Sequence, residues 1–294
     1  MGSLGLLNLI PLMERTSGST QVKIGLIDGP VSTRHPDLTG GRFHELAESA
    51  GARCTQANSL ACRHGTFVAG ILSAKRGSPA PAICPDCTLL IRPVFGETLS
   101  GSESMPSATP QELATAILDC INAGASVINL SLALAQPSIN GIQALEEAFD
   151  QAIRRDVIVV AAAGNQGALG SSAITRHPWV IPVVACDDRG QPTNESNLGG
   201  SIGRRGLTAL GAGVTSLGAE GEPLTLGGTS VAAPFVTGAI ALLWSDFPGA
   251  SAGQVKLAVT QGSMRRRASV VPPLLDAEAA YRALSIYTGR RGAA

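Results

Sequence analysis

The sequence predicts an α/β protein of three layers, in which a mostly parallel central sheet has helices on both of its faces. Short, continuous apolar runs alternate along the chain with longer segments whose apolar residues recur at helical spacing. Aromatic residues make up only 3% of the chain while 35 of its 294 residues are glycine, a composition that suits close packing of helices on a sheet. This alternation is typical of parallel strands that are joined by helices and buried on both sides.

The predicted elements follow one another between residues 22 and 244. A buried apolar strand over residues 22–27 leads into the turn Asp28-Gly29-Pro30. Further strands are predicted over residues 89–95, 126–134, 157–162, 180–185 and 207–214. Helices are predicted over residues 64–74, 111–122, 142–155 and 230–244. In sheets of this kind ligands bind outside the carboxyl ends of the strands, so the chemistry is expected at that edge.

Length and composition favour a single domain, which we assign to residues 1–294 with a core of about 20–286. The 22 basic and 22 acidic residues balance, which argues against nucleic acid or an acidic membrane surface as the main partner. The apolar stretch of residues 4–13 follows no lysine or arginine, so a secretory signal is not expected. The apolar run of residues 231–244 is too short for a membrane span, which takes about 20 residues. We therefore expect a cytoplasmic protein without a membrane partner.

The six cysteines form two pairs in loops and two single residues with apolar neighbours: Cys54 and Cys62, Cys84 and Cys87, Cys120, and Cys186. The second pair encloses a proline and an aspartate, which indicates a tight turn rather than a redox motif at the start of a helix. We expect the four paired residues to be ordinary loop cysteines, with structural disulfides and a zinc site as the alternatives. The two single cysteines are expected in the core.

Asp28, His64 and Ser230 carry groups that could act together in catalysis. Each has a structural alternative when taken alone, since Asp28 could form a turn and the other two could cap helices. Together they supply a carboxylate, a base and a nucleophile. A serine hydroxyl needs a base to take its proton at neutral pH, and the base needs a carboxylate that holds its tautomer and stabilises the imidazolium. The combination predicts a catalytic triad.

The segments around these residues resemble the motifs of the subtilase family of serine peptidases. Residues 27–29 and 35–38 resemble its aspartate segment, residues 64–70 its histidine segment and residues 228–234 its serine segment. Residues 161–165 (Ala-Ala-Ala-Gly-Asn) resemble its oxyanion segment. The order of aspartate, histidine and serine along the chain is also the order in subtilisin. The resemblance implies a subtilisin-like fold and a serine endopeptidase that works through an acyl-enzyme.

The same resemblance implies roles for residues around the triad. Asn165 would be the side-chain donor of the oxyanion hole. The implied substrate-binding residues are Ser131, Leu132, Ala133, Gly164, Ser100 and Gly101. An extended peptide would lie between the segment that begins at Ser131 and the loop that contains Ser100, paired as an added strand. Ala133 stands where many relatives have glycine, so its methyl group should narrow the cleft and restrict the specificity.

Within the family, the chain is similar to the cyanobactin-maturing proteases that trim ribosomal peptide precursors. This narrower resemblance rests on residues 27–31 (Ile-Asp-Gly-Pro-Val), on residues 123–129 (Ala-Gly-Ala-Ser-Val-Ile-Asn) and on the short span between Asp28 and His64. It implies leader removal from a precursor peptide, which would be both substrate and partner. A peptide ligase or macrocyclase, a general degradative subtilase and an inactive binding module are the alternatives. The short span disfavours the macrocyclase, because the macrocyclising relatives carry a helical insertion there.

No cofactor and no metal ion are expected. Asp37 matches a position that ligates calcium in many secreted relatives. The loop of residues 75–81, however, contains no aspartate or asparagine that could complete a calcium site of 6 to 8 oxygen ligands.

Overall fold

The computed structural model describes residues 3–46, 53–95, 97, 108–132, 141–261 and 269–289. Its strands are β1 (Lys23–Asp28), β2 (Arg42–Glu45), β3 (Thr88–Pro93), β4 (Val127–Leu130), β5 (Ile158–Ala162), β6 (Val180–Cys186), β7 (Leu207–Leu210), β8 (Val214–Leu217) and β9 (Pro223–Leu226). Within the described residues, the first seven strands form one sheet in the order β2-β3-β1-β4-β5-β6-β7, and all neighbours run parallel. Strands β8 and β9 form a separate antiparallel pair.

Helices cover both faces of this sheet. They are α1 (Ser3–Leu6), α2 (Ile10–Arg15), α3 (Leu60–Ser73), α4 (Pro110–Asn122), α5 (Ile142–Arg154), α6 (Ala173–Arg176), α7 (Gly200–Arg205), α8 (Thr229–Asp246), α9 (Ala252–Gln261) and α10 (Ala277–Tyr287). Helices α3 and α8 share one core with Ile24 and Leu26 of β1. Helices α4 and α5 share the other with Ile27 and Ile128. Strands β1, β4, β5 and β6 are buried along nearly their whole length because successive residues enter opposite cores. The predicted three-layer α/β fold is confirmed.

Helix α8 is the central helix of one layer. It is 18 residues long, almost entirely buried, and packs across strands β4 to β7. Its first turn lies at the carboxyl edge of the sheet and carries Ser230 there. No helix in the described ranges combines the length and the apolar character needed to cross a membrane.

Two element boundaries differ from the prediction in ways that affect the site. The helix predicted to start at His64 begins one turn earlier as α3, because the Ser59 side chain accepts a hydrogen bond from Cys62 N (3.2 Å) and caps it. His64 therefore lies inside the helix rather than at its start. The strand predicted over residues 207–214 is two strands, because Gly213 adopts a left-handed φ of 62° between β7 and β8.

Several short or polar elements were not predicted from the sequence, namely β2, β9, α1, α2, α6, α7, α9 and α10. Strand β2 shows why, since it is an edge strand with mostly exposed side chains. Such a strand has neither the continuous apolar run of a buried strand nor a clean alternation. Residues 133 and 134, at the end of the strand predicted over residues 126–134, lie outside the described residues.

Candidate active site

Asp28 is the last residue of β1, in the interior of the parallel sheet. Strands β3 and β4 flank β1, and the Asp28 side chain is fully buried. Its Oδ1 atom accepts hydrogen bonds from Gly29 N (2.6 Å) and from His64 Nδ1 (2.7 Å). Its Oδ2 atom is also buried and bonds to no described residue. A carboxylate held in this way can fix the orientation of the imidazole.

Two glycines allow helix α3 to bring His64 to this carboxylate. A Cβ atom on Gly29 would stand 2.1 Å from the Ala61 carbonyl oxygen, and one on Gly65 would stand 2.4 Å from the Gly29 carbonyl oxygen. The backbones of α3 and of the turn after β1 can therefore touch only because both residues lack side chains. With Nδ1 donating to Asp28, the His64 Nε2 atom is left to accept from Ser230 Oγ, which lies 3.0 Å away.

Asp28 raises the pKa of His64. Burial by itself lowers that pKa, because the imidazolium loses its hydration. The negative charge of Asp28 and the hydrogen bond to it outweigh this burial, so the pKa lies above the ordinary value of 6.5. The arrangement favours the protonated ring, which is the form that a general base reaches after it has taken a proton.

Ser230 is the second residue of α8. The preceding Gly228 is the N-cap residue with a left-handed φ of 117°, and the Val231 and Ala232 amides bond to its carbonyl oxygen. The Ser230 amide, like other first-turn amides, has no partner within the helix, and no described carbonyl oxygen accepts from it. The Ser230 hydroxyl and a free backbone N–H group thus lie together at the positive end of a helix.

Asn165 lies just beyond β5, after Gly164 with its left-handed φ of 104°. Its Oδ1 atom accepts hydrogen bonds from the Thr229 amide and the Thr229 hydroxyl, both at 2.9 Å. This anchoring leaves the Nδ2 atom free of described acceptors. A Cβ atom on Gly228 would lie 2.9 Å from Nδ2, so a side chain at that position would crowd the amide. The site therefore offers two N–H donors beside the serine hydroxyl, an arrangement suited to an oxyanion.

Comparison with known proteins agrees with this geometry. The chain matches the subtilase family over residues 19–274. It belongs to the subtilase family. Its curated relatives include proteins named subtilisins, and this subtilase is a subtilisin-like serine peptidase.

Relatives of this subtilase include subtilisin DY of Bacillus licheniformis, which is 34% identical over 84% of this chain and 87% of its own length. Subtilisin Savinase of Lederbergia lenta is 33% identical over 89% of this chain and 91% of its own length. Among solved structures, the prenylagaramide maturation protease PagA superposes with a TM-score of 0.80 at 28% identity, covering 94% of this chain and 98% of that one. The patellamide maturation protease PatA has a TM-score of 0.75 at 28% identity, covering 93% and 99%.

The residues predicted to bind substrate include Ser131 and Leu132, which follow β4 and are buried. The Ser131 hydroxyl accepts a hydrogen bond from Asn129 Nδ2, and Asn129 Oδ1 accepts one from the Thr237 hydroxyl (2.8 Å). The Leu132 side chain packs into the core of the α4 and α5 layer. Since both side chains face inward, any contact of Ser131 and Leu132 with a substrate strand would be through their backbone.

Gly164 supports the oxyanion segment through its backbone, because its N–H group donates to the Thr229 hydroxyl (3.1 Å). Thr229 had no predicted role, although it stands inside the serine motif, and it links Gly164 to the start of α8. Ala133, Ser100 and Gly101 lie outside the described residues. Their assignment to substrate binding stays a prediction.

Asn197 is a further residue that the sequence did not single out. Its Oδ1 atom accepts from the amides of Gln166 (3.1 Å) and Ala168 (3.0 Å), and its Nδ2 atom donates to the Ala163 carbonyl oxygen (3.2 Å). These bonds bracket the loop that carries Asn165. No local pattern could have revealed the contact, because Asn197 belongs to the connection between β6 and α7.

Near Asp37, the residue considered as a calcium ligand, the positively charged group is the ammonium of Lys75. Asp37 accepts a hydrogen bond at its carbonyl oxygen from the Lys75 amide (2.8 Å). The Lys75 ammonium donates to the Pro36 carbonyl oxygen (2.8 Å) and to the Thr39 hydroxyl (2.9 Å). Oxygen atoms beside Asp37 are thus already engaged by a side-chain cation.

The cysteines differ from the expectation in one pair. Cys54 and Cys62 form a disulfide at the start of α3, whereas they were expected to be ordinary loop cysteines. Their sulfur atoms and the Glu97 carboxylate lie within 4.8 Å of one another, but a disulfide has no thiolate to offer a metal ion. The remaining cysteines are free and buried, as predicted for the last two of them: Cys84, Cys87, Cys120 and Cys186.

Proposed function

We propose that this subtilase cleaves one or a few peptide bonds in a precursor peptide, with Asp28, His64 and Ser230 as its catalytic triad. The observation that carries the proposal is the unbroken hydrogen-bond chain from Asp28 through His64 to Ser230, at 2.7 and 3.0 Å. A nucleophile, its base and the carboxylate that orients the base are thereby within reach of one another without any rearrangement.

In the proposed reaction Ser230 Oγ attacks the scissile carbonyl carbon, while its proton passes to His64 Nε2. The carbonyl oxygen becomes an oxyanion, which accepts hydrogen bonds from Asn165 Nδ2 and the Ser230 amide. Collapse of this intermediate breaks the C–N bond, and the imidazolium returns its proton to the leaving amine. Water then repeats the sequence on the acyl-enzyme, with His64 as the base, and releases the acid product.

Support for a precursor peptide as substrate comes from two directions. The maturation proteases PagA and PatA share 28% of their residues with this chain over nearly its whole length. The PatG macrocyclase, at 23% identity, supports the fold alone, so hydrolysis rather than macrocyclisation remains our proposal. Ala133, in the predicted substrate segment, would add selectivity by narrowing the cleft.

General protein degradation is the second candidate, favoured by the 33–34% identity to subtilisin DY and subtilisin Savinase. The two candidates separate in a comparison of casein digestion with cleavage of a peptide library, read by mass spectrometry at equal enzyme concentration. We expect slow casein digestion and efficient cleavage of a narrow set of peptides. Rapid cleavage of casein at unrelated sequences would reject the processing function and leave the peptidase assignment intact.

We propose that residues 1–294 form one peptidase domain, with a core of about 20–286, as the sequence predicts. Limited proteolysis should then leave one resistant core, and two stable fragments would contradict the single domain.

The cytoplasm is the proposed location of this subtilase, although disulfides such as Cys54–Cys62 are more common in oxidising compartments. Alkylation of free thiols in freshly lysed cells tests this, because a reduced pair supports the cytoplasm and an oxidised pair contradicts it.

A further inference from the structure

A cleft of about 570 Å³ lies between α5, α6 and α7, and it contains none of the proposed catalytic residues. The side chains that matter to its chemistry are Arg176, Arg204, Arg205, Glu146, Ser171 and Ser201. The two serine hydroxyls lie 2.8 Å apart and bond to each other. Three guanidinium groups thus share one cleft with a single carboxylate of its lining.

Two of these arginines have little or no compensation for their charge. Arg204 is exposed and forms neither a hydrogen bond nor an ion pair with any residue that the structure describes. Arg176 has one ion pair there, to Glu146 at 3.9 Å, and both side chains are at least half exposed. A pair at that distance and exposure contributes about 0 to 1 kcal/mol, so neither guanidinium is firmly engaged.

Arg205 is held in place but not satisfied. Its Nη2 atom donates to the carbonyl oxygens of Thr175 (3.2 Å) and Arg176 (2.7 Å), which fixes the plane of the guanidinium. Its Nε atom is buried and has no hydrogen-bond partner in the described part of the chain. Buried donors in native proteins nearly always have partners, so this N–H group is available to an acceptor from outside the described residues.

Lys256 adds a fourth positive charge next to the cleft. Its ammonium donates to the Pro178 carbonyl oxygen (2.9 Å) and lies 4.4 Å from the centre of the Trp179 ring. Burial, followed by the positive charge of Arg205, lowers the pKa of Lys256 to about 8. The smaller part of this shift comes from Arg205, so Arg205 and Lys256 repel each other.

The acidic groups nearby do not balance these four cations. Glu146 is the partner of Arg176, and Asp150 Oδ1 lies 3.3 Å from His177 Nε2. Burial lowers the pKa of His177 more than Asp150 and Glu146 raise it, so the ring is neutral at neutral pH. Two carboxylates thus face four cations, which leaves an excess of two positive charges.

We propose that this cleft is an anion-binding subsite that receives an acidic side chain of the peptide substrate. Guanidinium groups with free N–H donors match a carboxylate in geometry and charge. The choice of a peptide carboxylate as ligand rests on the proposed function, whereas the anion site itself does not.

The distance from the active site is compatible with one substrate chain that reaches both places. A single loop runs from Asn165 to Ser171, and its residue Leu169 pairs with Leu198 on the way. Six extended residues span at most about 21 Å, which bounds the separation of these two positions. An extended substrate needs a comparable number of residues, so an aspartate or glutamate about six residues from the scissile bond can reach the cleft.

Isothermal titration calorimetry with hexaglutamate tests the subsite on the Ser230→Ala protein, which cannot cleave the probe. The matched probe is a neutral hexapeptide of glutamine and serine, and sulfate at equal ionic strength serves as the small anion. The fluorescence of Trp179 locates the binding, since Trp179 is partly exposed and contacts Lys256, whereas the other tryptophan, Trp244, is buried. The test variant carries Arg176→Gln and Arg204→Gln.

We expect saturable binding of hexaglutamate, no binding of the neutral peptide, and an affinity at least about tenfold lower in the double variant. Arg189→Gln is the control, because Arg189 is an exposed arginine outside the cleft, and it should bind like the parent. No saturable binding, or equal affinity in the double variant, would overturn the proposal. Binding of sulfate without hexaglutamate would reduce the cleft to a small-anion site and reject the peptide subsite. Each of these failures leaves peptide cleavage by the wild-type chain unaffected.

Discussion

Replacement of Asn197 by alanine should slow catalysis by loosening the loop that holds Asn165. The substitution removes the bonds from Asn197 to the Gln166 and Ala168 amides and to the Ala163 carbonyl oxygen. The first two amides are near solvent and can turn to water, so we expect a stability loss of about 1–2 kcal/mol. The protein should therefore remain folded at room temperature.

The largest possible fall in kcat is the one caused by complete loss of the Asn165 donor. Loss of the equivalent donor in subtilisin lowers kcat by roughly 10²–10³. The Asn165 side chain keeps its two bonds to Thr229 in the variant, so only part of the positioning is lost. We expect kcat to fall about tenfold in Asn197→Ala, with little change in KM because ground-state binding does not use the oxyanion contacts.

A double-mutant cycle distinguishes positioning from general damage. The kcat of a peptide from the library is measured for the wild type, Asn197→Ala, Asn165→Ala and the combined variant, each corrected for the folded fraction by circular dichroism. If Asn197 acts through Asn165, its loss in the Asn165→Ala background should cost less than about twofold. Asn194→Ala is the control, because that side chain is exposed on the same connection and has no described hydrogen bond. Equal losses of rate in both backgrounds would refute the reasoning.

Three further predictions address the triad and the disulfide. Ser230→Ala should retain the fold and lose peptidase activity and labelling by a fluorophosphonate, and more than about a tenth of wild-type activity would contradict its role. His64 must be neutral to accept a proton, and Asp28 raises its pKa above 6.5, so kcat/KM should fall as the pH drops through a value above 6.5. A fall in kcat/KM that begins only below pH 6.5 would contradict this prediction. Replacing Cys54 and Cys62 by serine should lower the free energy of unfolding by about 2–3 kcal/mol, because the disulfide restricts the unfolded chain by closing a loop within it. An unchanged urea midpoint under oxidising conditions would contradict this prediction.

The candidate active-site residues could be proposed from the sequence because each belongs to a short motif with a local meaning. Asp28 ends an apolar strand and Asn165 follows another, and the carboxyl ends of parallel strands meet at one edge of the sheet. His64 and Ser230 lie at or near the starts of predicted helices. Resemblance to a family then joined these segments into one site. The strand order that brings β1, β4 and β5 side by side is a property of the folded sheet.

The contacts that tune and extend the site were decided only by tertiary structure. Asn197 forms hydrogen bonds with a loop about thirty residues earlier in the chain. Lys75 forms hydrogen bonds with Pro36 and Thr39, from which it is separated in the sequence by helix α3. The cleft between α5, α6 and α7 brings together Arg176 of α6 with Arg204 and Arg205 of α7. These arginines come from separate segments of the sequence, and neither segment has an unusual composition. Patterns in a sequence report the period of burial along one element, which is a local property. Which polar side chains meet depends on how whole elements pack, and that is settled by the total burial of apolar surface rather than by any one residue.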